Sequence, residues 1–129
     1  MNLNEGKTLI KQKKFSKALE VFLNLEQQKN FDSKVFFYLG LVYYELNNFN
    51  KSINYYEKFL NKEPNSISTL VNLAIVKQTI GDLNSAKKIY QKIIQINKYN
   101  LRAHYGLYLL DEKNFTDKIN DTLLDIEKN

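Results

Sequence analysis

The amino-acid sequence predicts an all-α fold: a solenoid of about three and a half helix-turn-helix units of 34 residues, closed by a C-terminal capping helix. Three observations predict it. One Pro and four Gly in 129 residues leave few breaks, which favours long helices. Apolar residues recur at spacings of three and four, the helical period. Residue types also repeat at a period of 34: Gly6, Gly40 and Ala74; Phe15, Phe49 and Leu83; Ala18, Ser52 and Ala86; Phe22, Tyr56 and Tyr90. The expected units are 1–32, 33–66, 67–100 and a degenerate 101–129, all in one domain.

The first unit carries Gly6, Leu9, Phe15, Ala18 and Phe22 but has Asn2 and Glu5 at apolar slots. In the second unit a helix is expected from about Lys34 to Asn47, with Phe36, Leu39, Tyr43 and Leu46 on one face. Asn47-Asn48 makes the turn. A second helix follows from about Asn50 to Lys62, with Asn50 as its cap and Pro64 ending the unit. In the third unit Gly81-Asp82 supplies the turn. The fourth departs most, with Tyr108 where Gly or Ala belongs and Phe115 two residues early. The stretch 116–129 reads as a cap with a polar outer face. Boundaries are expected near residues 14, 31, 48, 65, 82, 99 and 114, giving seven or eight helices.

The small-residue columns have a mechanical reason. Without bulk at Gly6, Gly40 and Ala74, or at Ala18, Ser52 and Ala86, the two helices of a pair approach closely. Phe15, Phe49 and Leu83 then plug the seam between pairs. One pair cannot bury its apolar face alone, so pairs stack.

At this point the sequence resembles the tetratricopeptide repeat family, whose signature is W-x2-L-G-x2-Y, then A-x3-F, then P. The second unit reads Phe36-x2-Leu39-Gly40-x2-Tyr43, Ser52-x3-Tyr56 and Pro64. The third reads Leu70-x2-Leu73-Ala74-x2-Lys77, then Ala86-x3-Tyr90, with Lys98 in place of Pro. The resemblance covers about residues 1–112. It implies a right-handed superhelix whose first helices line a concave groove that binds a peptide or partner protein.

That resemblance designates the groove side chains. The expected set is Lys34, Phe37, Tyr38, Leu41, Tyr44, Asn72, Arg102 and Tyr105, with Lys7, Glu45 and Ile75 on the same face. The alternative is that the C-terminal helix folds back over the aromatics. Some family members clamp a peptide carboxylate with Lys and Asn, then Asn, then Lys and Arg. Here Phe37, Leu41, Asn72, Arg102 and Gly106 stand at those places, so the clamp is largely missing and a more apolar ligand is expected.

Composition and motifs exclude most other chemistry. The net charge of +5 comes from 18 Lys and one Arg against 14 acids, a solubilising surface more than a nucleic-acid footprint, which favours clustered Arg. No cysteine is present, so disulfides and thiolate metal sites are excluded; with one histidine, no usual zinc set forms. Gly6-Lys7-Thr8 lacks the upstream Gly and strand of a phosphate loop. His104, in the column of Phe36 and Leu70, is expected to face a seam. Asp111-Glu112 and Asp121/Asp125 read as solvated helix faces. Three Asn-x-Ser/Thr triplets, at Asn50, Asn114 and Asn120, carry no meaning in a chain without a signal peptide. No apolar run suits a signal peptide or a membrane span.

The sequence therefore predicts a cytoplasmic, non-enzymatic protein with no cofactor, metal, nucleic acid or membrane partner. It is expected to be an adaptor, scaffold or cargo chaperone for an apolar peptide of some acidic character. The alternative is a structural subunit or homo-oligomer whose groove is filled by a partner or its own copy.

Overall fold

A computed structural model describes residues 1–128, and the side chains of all of these except 112–118. Seven helices and no strands occur among the described residues. They are α1 (Leu3–Lys11), α2 (Phe15–Glu26), α3 (Lys34–Glu45), α4 (Phe49–Lys62), α5 (Ile67–Thr79), α6 (Leu83–Ile96) and α7 (Leu101–Lys128). Consecutive helices pack pairwise along the chain, and α1, α3 and α5 also touch across one side. The result is the expected solenoid.

Each pair is closed by one residue in the left-handed region: Lys13 (φ 59°), Asn47 (φ 63°) and Gly81 (φ 84°), again 34 apart. The next place in that column is 115, where Phe stands. A bulky side chain disfavours this conformation, and the backbone runs on as one helix of 28 residues. The expected boundary near 114 is thus absent, and so is an eighth helix among the described residues. The early Phe115, Glu112 of the acid pair and the Asn114 triplet fall outside the described side chains.

Side-chain caps hold the helix starts by accepting from free backbone N–H groups. Asn2 accepts from Glu5 N at 3.0 Å, Ser66 from Thr69 N at 3.4 Å and Asp82 from Ser85 N at 3.2 Å. For α4 the cap is Asn48, accepting from Lys51 N at 3.3 Å, and not the expected Asn50, which lies inside the helix. Lys14, in the same column as Asn48 and Asp82, caps nothing.

The core runs along the stack. A Cβ on Gly40 would stand 2.6 Å from Tyr56 Cδ1, and one on Gly6 would collide with the Phe22 ring. The small-residue columns thus do what spacing requires: they seat an aromatic ring against bare backbone. Ser52, fully buried among Ala-column positions, donates to the Gly40 carbonyl at 2.6 Å, so its hydroxyl is satisfied. His104 departs from expectation. It is exposed, and its Nε2 lies 2.7 Å from the Lys98 carbonyl, so it ties the α6–α7 turn where Leu70 fills a seam.

Candidate peptide-binding groove

The groove is built by α3 and α5. On α3, Phe37, Tyr38, Leu41 and Tyr44 are half-buried. The cover over three of them comes from α4 and α5, not from α7: Phe37, Leu41 and Tyr44 pack on Tyr56, Leu73 and Val76. Among the described residues α7 packs against α6, so the C-terminal helix does not fold back over the aromatics.

The four side chains divide their work. Tyr38 stacks on Phe22 at 5.3 Å between ring centres, with Lys7 Nζ 6.0 Å from its ring centre. Phe37 is spent on packing, with Tyr56 and Phe59 each 6.0 Å away. Leu41 and Tyr44 instead line a hollow of about 200 Å³ with Glu45, Tyr56, Asn72 and Ile75. The Tyr44 hydroxyl lies 3.3 Å from Thr79 Oγ1, bridging α3 to α5.

Tyr56 forms the floor. Sequence periodicity places it in one column with Phe22 and Tyr90, but its floor role depends on the gap between α3 and α5, which no motif encodes. Burial pushes its hydroxyl pKa well up, and Glu45 adds to that, while the adjacent Asn72 side chain opposes it. Tyr56 is therefore a neutral floor beneath an amide that can donate and accept.

The other expected groove residues lie apart. Lys34 sits in a separate depression with Asp32, Glu63 and Ser66, at the start of α3. Arg102 and Tyr105 are exposed on α7, and neither lines the hollow. In the column of Asn72, Gly106 leaves room for Tyr90, whose Cε2 lies 2.6 Å from a would-be Cβ. No group of three or more His, Cys, Asp or Glu suited to a metal occurs among the described residues, and no described helix is long and apolar enough to cross a membrane.

A stack of helix pairs with a half-apolar concave hollow defines the class of helical repeat proteins. Models of the tetratricopeptide repeat match residues 33–66 and 67–100, and the chain belongs to that family. It is similar to "Uncharacterized protein ycf37" of Pyropia yezoensis, 29% identical over 108 residues, which is 77% of this chain and 61% of that protein. It therefore spans about three fifths of that relative's length. Two solved structures share the fold. The first TPR of Spaghetti (RPAP3), bound to an HSP90 peptide, has a TM-score of 0.78 at 14% identity, covering 85% of this chain and 87% of that one. PcrH in complex with the chaperone binding region of PopB has 0.68 at 16%, covering 84% and 88%.

Proposed function

We propose that this chain is a cytoplasmic adaptor or cargo chaperone that binds a peptide segment of a partner protein in the α3–α5 groove. The hollow between Leu41, Tyr44, Asn72 and Ile75, with Tyr56 beneath it, carries this reading. An apolar ligand side chain enters it, since half-apolar concavities with a few polar groups are where ligands bind. Asn72 bonds the ligand backbone, as its amide offers donors and an acceptor. Lys7, beside Tyr38, meets an acidic ligand residue next to the anchor. Phe37 and Tyr38 pack beside the hollow, and Lys34, set apart at the start of α3, acts as a steering charge. Glu45 at the hollow confines the ligand's acidic character to the Lys7 side. Spaghetti, bound to an HSP90 peptide, and PcrH, in complex with the chaperone binding region of PopB, share this fold, which supports a peptide segment as the ligand.

The test is a pull-down from the native cell with the parent chain and with Leu41→Glu. The parent should recover a partner that Leu41→Glu loses while the variant keeps the helical circular-dichroism signal of the parent at the temperature of the pull-down. Equal recovery by both contradicts the site.

A further inference from the structure

The outer face of α7 carries exposed apolar side chains that the groove does not use. At 3.6 residues per turn, Leu101, Tyr105, Leu109, Ile119, Leu123 and Ile126 fall within roughly 100° of one another on the helix wheel. Tyr108 lies in the same stripe. These side chains are 40 to 83% exposed. The opposite face, with buried Ala103, Gly106 and Leu110, packs on α6, and Lys87 pairs with Asp111 across that contact at 3.5 Å. The segment expected to present a polar outer face thus carries, beside exposed Asn120, Asp121 and Asp125, an apolar stripe as well. Its spacings of three and four recur in two runs, 101–109 and 119–126, on either side of 112–118 in a helix about 42 Å long, and within each run they follow the pattern of a coiled-coil seam.

We propose that the occupant of this stripe is α7 of a second copy, in an antiparallel pair about a two-fold axis near position 114. The stripe is self-complementary in that register. Leu101 falls opposite Ile126 of the second copy, Tyr105 opposite Leu123, and Leu109 opposite Ile119, all within one residue of the same axis. Charge agrees. Arg102 and Glu127 flank the stripe on the same side, so the antiparallel register brings each Arg102 to the second copy's Glu127, twice per dimer. A parallel pair would leave them about 37 Å apart along the helix. A two-fold interface requires this self-complementarity of one patch. The second copy's 119–128 segment then lies where an eighth helix would have covered α7.

The test is light scattering on the full chain across micromolar concentrations, with cysteine cross-linking. The parent should have twice the 15.2 kDa chain mass. Leu123→Asp, at an exposed site, should give a monomer that keeps the parent's helical content and whose melting temperature no longer depends on concentration. Arg102→Glu and Glu127→Arg should each weaken the dimer at least tenfold, and together restore it. Because the chain has no cysteine, Tyr105→Cys/Leu123→Cys should form interchain disulfides on oxidation; the two sites are 18 residues apart on one helix and cannot join within a chain. A monomeric parent, or a dimer that Leu123→Asp leaves intact, overturns the proposal. Failure of the double charge swap to restore the dimer, or failure to cross-link, overturns the antiparallel register.

Discussion

The ring of Tyr56 fills the space a Gly40 side chain would need, with Cδ1 2.6 Å from the missing Cβ. One residue pair therefore sets how closely α3 and α4 approach and also lays the floor of the groove. Gly40→Leu should overpack this contact and cost roughly 1–3 kcal/mol or more, read by chemical denaturation. An unchanged midpoint would show that the two helices have slack at this point.

The cap column offers a stability test in both directions. Lys14→Asp should place a side-chain acceptor and a negative charge at the start of α2, adding about 0.5–1 kcal/mol. Asp82→Ala should lower the melting temperature, because it removes the acceptor for Ser85 N and Ser85 Oγ. Those same bonds hold the Asp82 pKa below its ordinary value. A lowered folded-state pKa stabilises above the unfolded value of about 3.9 and loses that contribution as pH falls through the folded one. The difference between parent and Asp82→Ala should therefore be present at pH 7 and shrink below about pH 4. Melts compared from pH 7 to pH 2.5 check it.

Turn chemistry makes a second column. Gly81, at φ 84°, should resist Ala, which has a Cβ penalty there of about 1 kcal/mol. Lys13 carries that strain in the parent, so Lys13→Gly should be neutral to stabilising. Equal losses at both positions would deny the shared conformation.

Much of this architecture was legible because each unit repeats the same packing problem. Gly40 with Tyr56, and Asn47 with Gly81, announce themselves by period. The continuous α7 was less legible: a helix does not stop unless a residue favours the turn, and Phe115 in the turn column signals its loss only once the column is known to need positive φ. The groove was half legible. Leu41, Tyr44 and Asn72 converge as the family pattern implies, but Lys34, Arg102 and Tyr105 share only a column position with groove residues. Their distance from the hollow depends on where α7 and the start of α3 sit, which period alone does not fix.

Burial raises the pKa of Tyr55 and of Tyr56, and for Tyr55 the hydrogen bond to Glu26 at 3.0 Å adds to it. A raised folded-state pKa stabilises fully below the unfolded value, about 10, and is lost as pH rises through the folded one. The chain should therefore lose stability above about pH 10, and Tyr55→Phe should be less sensitive there. Denaturation midpoints at pH 8 and pH 11 measure this; identical pH slopes for parent and variant would contradict it.

The central claim is that an apolar-anchored peptide sits between α3 and α5. The direct measurement is selection of a random twelve-residue peptide library displayed on phage, followed by affinity titration of the enriched peptides. The account predicts sequences with two or three apolar residues and a neighbouring acid, bound at least tenfold more weakly by Leu41→Glu and by Asn72→Ala but equally by Lys92→Ala on the exposed side of α6. Enriched peptides that bind Leu41→Glu and Asn72→Ala as tightly as the parent, or that need Lys92, would contradict it.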